Sequence, residues 1–244
     1  LDEVFKSFRP EVIIHLAACA DLNIFREKPE ISQKINVVGT KNILDKCEQY
    51  KCRLLFASTC CSYGNNDTHP SDETSPLKPT EPYAKSKVDS EKDILEIGLP
   101  HCCMRLATFY GPEMRKELAP AIFIDKIYND ETIKIHGSGE QTRTLTYVDD
   151  IINGIITIMN NEPKYEIINI TTEKIVSVND MIEVISNIIN KEVKLKNIED
   201  RPGQIYKEMI LSKRLQELGW KAKTSFEEGI TKSYEYYISN NNKW

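Results

Sequence analysis

The chain has 244 residues, with 32 Lys and Arg against 37 Asp and Glu, a formal net charge of −5. That balance leaves no basic footprint for nucleic acid, and no run of about 18 apolar residues exists to cross a membrane. With 40% hydrophobic and 28% charged residues, the composition is that of a soluble globular chain, either one large domain or two closely joined lobes.

Short β-branched runs alternate with longer amphipathic ones. Residues 12–16, Val-Ile-Ile-His-Leu, read as a buried strand that ends in small residues. Residues 36–50 read as a helix begun by Asn36, a favoured capping residue. A second strand covers 53–58, and a helix covers 82–97 with Pro82 in its first turn. A third strand follows at 101–106. Strand, helix, strand, helix predicts parallel βαβ units covered on both faces. After Gly111-Pro112 the pattern loosens. Helices are predicted at 121–128, 148–159, 178–189 (capped by Ser177), 213–218 and 226–238, with strands at 133–135 and 167–170. Gly137-Ser138-Gly139 reads as a turn, and 240–244 as a polar tail.

Cys19, Cys47, Cys52, Cys60, Cys61, Cys102 and Cys103 form no C-x-x-C pair, and four of them are vicinal in apolar runs. They predict reduced, buried thiols in a cytoplasmic protein, with no disulfide framework and no metal site. No secretory signal is visible.

The chemistry-bearing feature is Tyr83 with Lys87, four apart on one helix face. An ammonium so placed can stabilise a phenolate, and such a phenol can exchange a proton with a sugar hydroxyl. Ser58 and Thr59 close the preceding strand with hydroxyls. In isolation such hydroxyls more often bond local backbone.

Read together, His15-Leu16-Ala17-Ala18, Asn36 to Thr40, Ser58 to Gly64, Tyr83 to Lys87, Arg105 to Pro112, Gly137 to Asp150, Arg201-Pro202-Gly203 and Leu218-Gly219-Trp220 resemble the extended short-chain dehydrogenase/reductase superfamily. The likeness is to its NAD-dependent nucleotide-sugar 4-epimerases and their dehydratase relatives. It implies a Rossmann-like doubly wound parallel sheet in an α/β fold, with a smaller α/β substrate-binding lobe. The sheet domain takes 1–112 with 144–171, and the lobe 113–143 with 172–239. The resemblance makes Tyr83, Lys87 and Thr59 catalytic. It puts Leu16, Ala17, Ala18, Asn36, Ser58, Tyr83 and Lys87 against NAD. Thr59, Thr108, Arg143 and Arg201 would meet a UDP-sugar, the two arginines as diphosphate clamps, and Arg115 could face the substrate as well. A homodimer through the Asn36 and Tyr83 helices is implied too.

Two departures shape the reading. The glycine-rich strand-turn-helix that opens the family is missing, so the chain reads as N-terminally truncated by roughly 60 residues. Weak NAD binding and reduced stability are expected of it alone. Cys60 and Cys61 stand where the 4,6-dehydratases carry Asp-Glu, which argues against dehydration. The favoured activity is therefore C4 epimerisation through a 4-keto sugar. The alternatives are a nucleotide-sugar reductase or epimerase-reductase, since Cys61 matches the cysteine of GDP-fucose synthases, or a non-catalytic fragment that keeps a nucleotide-sugar site. The sugar, the base and NAD against NADP stay open.

Overall fold

The computed structural model describes residues 1–20, 22–65, 70–200 and 206–244. Helix α1 (Asp2–Phe8) buries Phe5 and leads into strand β1 (Val12–His15). Helices α2 (Leu22–Glu27) and α3 (Pro29–Gln33) follow. One wide π-type turn (Lys34–Val38) joins α3 to α4 (Gly39–Tyr50), and Gln33, Lys34, Val38 and Gly39 all keep right-handed helical angles. Asn36 therefore lies inside a helical stretch instead of beginning one. Pro29 supplies the start, in the first turn where its missing N–H costs nothing. Asn36 needs no capping role and turns inward, 2% exposed. Thr40, Leu44 and Cys47 recur at helical spacing and form the buried face of α4.

Strand β2 (Arg53–Thr59) ends in a single 3-10 turn (Cys60–Tyr63) whose first free amide, that of Cys61, is capped by Thr59. Helix α5 (Pro82–Leu95) stops two residues short of its expected end. Then come β3 (His101–Leu106), β4 (Thr108–Tyr110), α6 (Ala119–Tyr128), β5 (Thr132–His136), β6 (Thr142–Tyr147) and α7 (Val148–Asn160). The chain continues through β7 (Ile167–Ile170), β8 (Ile175–Ser177), α8 (Val178–Ile189), β9 (Lys194–Ile198), α9 (Lys213–Glu217) and α10 (Phe226–Ser239). Ser177 and Asp180 form a reciprocal capping box at the start of α8.

Strands β1, β2, β3 and β7 pair in that order, all parallel. Apolar clusters cover both faces. On one, Phe5, Leu44, Cys47 and Ile94 from α1, α4 and α5 pack on Leu54, Phe56 and Cys103. On the other, Ile151, Ile155 and Ile158 of α7 and Leu215 of α9 pack on Leu55, Cys102 and Met104. The period-two alternation of a strand sends Cys102 and Cys103 to opposite faces. The sheet is the Rossmann-like, doubly wound arrangement the sequence predicts. A third cluster joins α6, α8 and α10 to β5 and β6 through Ile124, Ile133, Leu145, Ile182 and Tyr237. Here β4, β6 and β8 form one small sheet and β5 pairs with β9 in another.

Cys47, Cys52, Cys60, Cys61, Cys102 and Cys103 are free thiols, and all but Cys61 of these are buried. Cys61 is exposed, contrary to expectation, because β2 has ended by Thr59 and the 3-10 turn aims Cys61 away from the core. Among the described residues no helix is long and apolar enough to cross a membrane, and no group of three His, Cys, Asp or Glu is placed to hold a metal.

Candidate active site

Parallel strands that end at one edge leave a crevice beyond their carboxyl ends. Here it is a cavity of about 680 Å³, lined from β2 by Ala57, Ser58 and Thr59 and from the loop after β1 by Leu16, Ala18 and Ala20. Tyr83 and Lys87 of α5, Cys61 of the 3-10 turn, Thr108 of β4, Arg115 and Glu208 complete the walls that matter chemically. One side is closed by two loops far apart in sequence. The Ser71 amide donates to Met209 O, and the Leu211 amide to Ser71 O, both at 2.9 Å.

Lys87 is 2% exposed. Its ammonium donates to Ala57 O at 2.7 Å and lies 4.6 Å from the centre of the Phe56 ring. Burial lowers its pKa to about 8, with Glu91 pulling the other way. Tyr83 stacks edge-on against Phe25, ring centres 5.9 Å apart. Burial raises the phenol to about 12; the Cys61 thiol adds to that and Arg115 opposes it. Arg115 is a cation that lowers the Tyr83 phenol here, while the Lys87 ammonium is turned to the Ala57 carbonyl. Arg115 itself reaches across to Ala20 O at 3.1 Å.

Asn36 stands behind the cavity wall and ties two of its pieces together. Its Oδ1 accepts from the Cys19 amide at 2.7 Å, and its Nδ2 donates to Cys19 O at 3.0 Å and to Ser86 Oγ at 2.9 Å. Ser86 in turn donates to Tyr83 O at 2.7 Å. The loop after β1 and the first turn of α5 are held in one register by a single side chain.

Ser58 donates its hydroxyl to Glu91 Oε1. Glu91 also receives Arg105 in a fork, Nε to Oε1 at 3.0 Å and Nη2 to Oε2 at 2.7 Å. Arg105 Nη1 continues to the Tyr63 hydroxyl at 3.1 Å, which donates to Asn169 Oδ1 at 2.7 Å. Burial opposes the charge on Arg105, but the hydrogen bond and charge of Glu91 outweigh it and hold the guanidinium above its usual value. This buried network was not read from the sequence. Its signals were an arginine inside an apolar strand and a glutamate one turn beyond Lys87.

Of the other expected site residues, Ala17 is exposed and is not among those lining the cavity. Arg143 stands behind Glu208, its Nε 3.8 Å from Glu208 Oε2 and its Nη1 donating to Thr142 O at 2.7 Å. Arg201 lies outside the described residues. The small side chains after β1 and the inward ammonium of Lys87 fit the nicotinamide-ribose end of a dinucleotide. Among the described residues no glycine-rich turn opens a helix toward this cavity for the pyrophosphate.

The model of the NAD dependent epimerase/dehydratase family matches residues 1–171. The chain is 32% identical over 250 residues to a putative UDP-glucose 4-epimerase of Methanocaldococcus jannaschii, across 99% of this chain and 81% of that one. It is 31% identical over 250 residues to a UDP-glucuronate 4-epimerase of Thermodesulfobacterium geofontis, across 98% of this chain and 76% of that one. Among solved structures, the UDP-glucose 4-epimerase of Thermotoga maritima with UDP-glucose aligns at a TM-score of 0.92 with 29% identity, over 98% of this chain and 81% of that one.

Proposed function

The chain belongs to the NAD dependent epimerase/dehydratase family, and from that premise we propose that it epimerises a UDP-linked sugar at C4. The observation that carries this reading is the convergence of Thr59, Tyr83 and Lys87 on one cavity with no carboxylate at the two positions after Thr59. NAD, when bound, would supply reversible hydride transfer at C4 of the sugar. Lys87 would hold its nicotinamide ribose with N–H donors beyond the one given to Ala57, an ammonium having three. Leu16, Ala18 and, through the loop it fixes, Asn36 would shape that end, beside Ser58.

Tyr83, in its phenolate form, takes the proton of the C4 hydroxyl and, as the phenol, gives it back. Thr59 Oγ1, which accepts from the Cys61 amide at 3.2 Å, keeps its own proton to donate to the C4 oxygen. Thr108 contacts the sugar, and Arg143 with Arg201 holds the diphosphate. Residues 1–112 with 144–171 serve as the cofactor domain, and 113–143 with 172–239 as the substrate lobe. The free thiols of Cys47, Cys52, Cys60, Cys61, Cys102 and Cys103 suit a reducing cytoplasm. Ile31, Ile35 and Val38, all exposed at i, i+4 and i+7 of one helical stretch, support a homodimer through that face.

Cys61 facing the cavity is the one observation that favours an epimerase-reductase. Although Cys61 opens to the cavity, the protein packed around its thiol pushes it up, and among the described residues no histidine lines the cavity to activate it. The test is incubation with NAD and UDP-glucose or UDP-galactose, followed by NMR. The 4-epimer should form with no net NADH, and Tyr83→Phe should slow it by roughly a thousandfold. No epimer at all, or stoichiometric NADPH consumption in a parallel incubation supplied with NADPH in place of NAD, would reject the proposal.

A further inference from the structure

Glu208 has no part in the chemistry above, yet it is an ionisable group set into the wall of the same cavity. Its backbone is fixed from two sides. The Glu208 amide donates to Thr142 O at 3.3 Å, and Thr144 Oγ1 donates to Glu208 O at 3.3 Å. Its neighbours Met209 and Leu211 are bonded to Ser71 on the facing loop. Its side chain is 21% exposed. Arg143 Nε stands 3.8 Å away, an ion pair longer than a hydrogen bond.

Glu208 shares the wall of this cavity with Cys60, Cys61 and Tyr83. The other acidic side chains in the lining, Glu81 and Glu113, are exposed. Surrounding protein withholds water from Glu208 and so raises its pKa, with Arg143 opposing.

Resting on the nucleotide-sugar reading, we propose that Glu208 is a specificity-determining residue. It accepts hydrogen bonds from the hydroxyls of an uncharged hexosyl group and excludes hexuronosyl groups. A sugar hydroxyl can replace the water that a carboxylate loses on burial. A second carboxylate in the same confined space cannot, and like charges in low dielectric repel strongly. Overall identity does not separate these two substrate classes. One charged wall residue can, because specificity is a difference of affinities and a repulsive element supplies it.

The test is calorimetric titration of the NAD-saturated full chain with UDP-glucose and UDP-glucuronate, for wild type and Glu208→Gln, with turnover of both sugars measured in parallel. Wild type should bind UDP-glucose at least about thirtyfold more tightly, and Glu208→Gln should narrow the gap to roughly threefold or less. Equal or tighter binding of UDP-glucuronate by wild type, with Arg143 then dominating, would overturn the inference. So would a gap that Glu208→Gln leaves unchanged. Turnover separates the two proposals. If neither sugar is epimerised, the C4-epimerase reading fails while the binding comparison still decides the role of Glu208. If neither sugar binds, both fall.

Discussion

Removing one half of the buried Arg105–Glu91 pair should cost far more than removing both. The two side chains are 3% and 2% exposed, with Nη2 and Oε2 2.7 Å apart. At an effective dielectric near 20, unit charges at 2.7 Å attract by roughly 6 kcal/mol. Desolvating each ion costs several kcal/mol, so the intact pair nets little. Arg105→Met leaves the Glu91 carboxylate buried with the Ser58 hydroxyl as its hydrogen-bond donor and the charge of Lys87 acting on it, and breaking a buried pair in this way costs about 3–5 kcal/mol. Glu91→Leu strands the guanidinium and should cost a similar amount. The double variant replaces both ions with apolar groups and should lose about 0–3 kcal/mol, so the coupling is at least about 3 kcal/mol. Urea unfolding of all four proteins measures this. Either single variant should also melt lower by roughly 6–20 °C. If the two single losses simply add in the double variant, or if Arg105→Met costs less than about 1 kcal/mol, the reasoning is wrong.

Burial holds His15 down to about 4, whereas a histidine in the unfolded chain protonates near 6.5. The unfolded state therefore binds the extra proton between pH ~4 and ~6.5, and stability is lost on acidification through that window, by up to about 3 kcal/mol. His15→Gln should flatten the dependence of the urea midpoint on pH, and an unchanged slope would contradict the assignment. Gly229→Ala should destabilise α10 by about 1–3 kcal/mol, although such a change in an open helix stabilises. The new Cβ would meet the buried Tyr110 hydroxyl at 2.3 Å, and a variant that melts as wild type or higher refutes this. Arg115→Leu removes the cation that pulls the Tyr83 phenol down. The acid limb of the kcat/KM profile should then move to higher pH, with a loss of roughly two- to tenfold below it, and an unmoved limb would show that Arg115 does not act on Tyr83.

The parallel sheet was legible because its strands are continuous apolar runs. Leu54 to Phe56 and Cys102 to Met104 are buried on both faces and could hardly be anything else. The helix over α8 was legible from Ser177 and the apolar period that follows. Strand β6 was not, because Thr-Arg-Thr-Leu-Thr-Tyr reads as polar. Thr144 and Thr146 are buried by pairing with β4 and β8 and not by hydrophobicity. Strand β9 is nearly all exposed and exists through its pairing with β5. At the site, Tyr83, Lys87 and Thr59 could be named from spacing and resemblance. Glu208 could not, since 149 positions separate it from Thr59, and its loop reaches the cavity through bridges of Ser71 to Ile210 and of Thr142 to Lys207. The expected action of Lys87 on Tyr83 followed from helical spacing alone. Spacing fixes where two Cβ atoms stand and leaves open which way a four-carbon chain turns its ammonium.

The three bonds of Asn36 bear on when this protein opens, not only on what it binds. Cys19 belongs to no helix or strand, and an amide in such a loop ordinarily exchanges its hydrogen with solvent in brief local fluctuations. Here that amide is clamped to a side chain which is itself clamped to the base of α5. Its exchange rate is then governed by the parting of α5 from the π-type turn, an event of the core. A loop amide would carry the protection of a helix, and the two ends of the site would open together or remain shut.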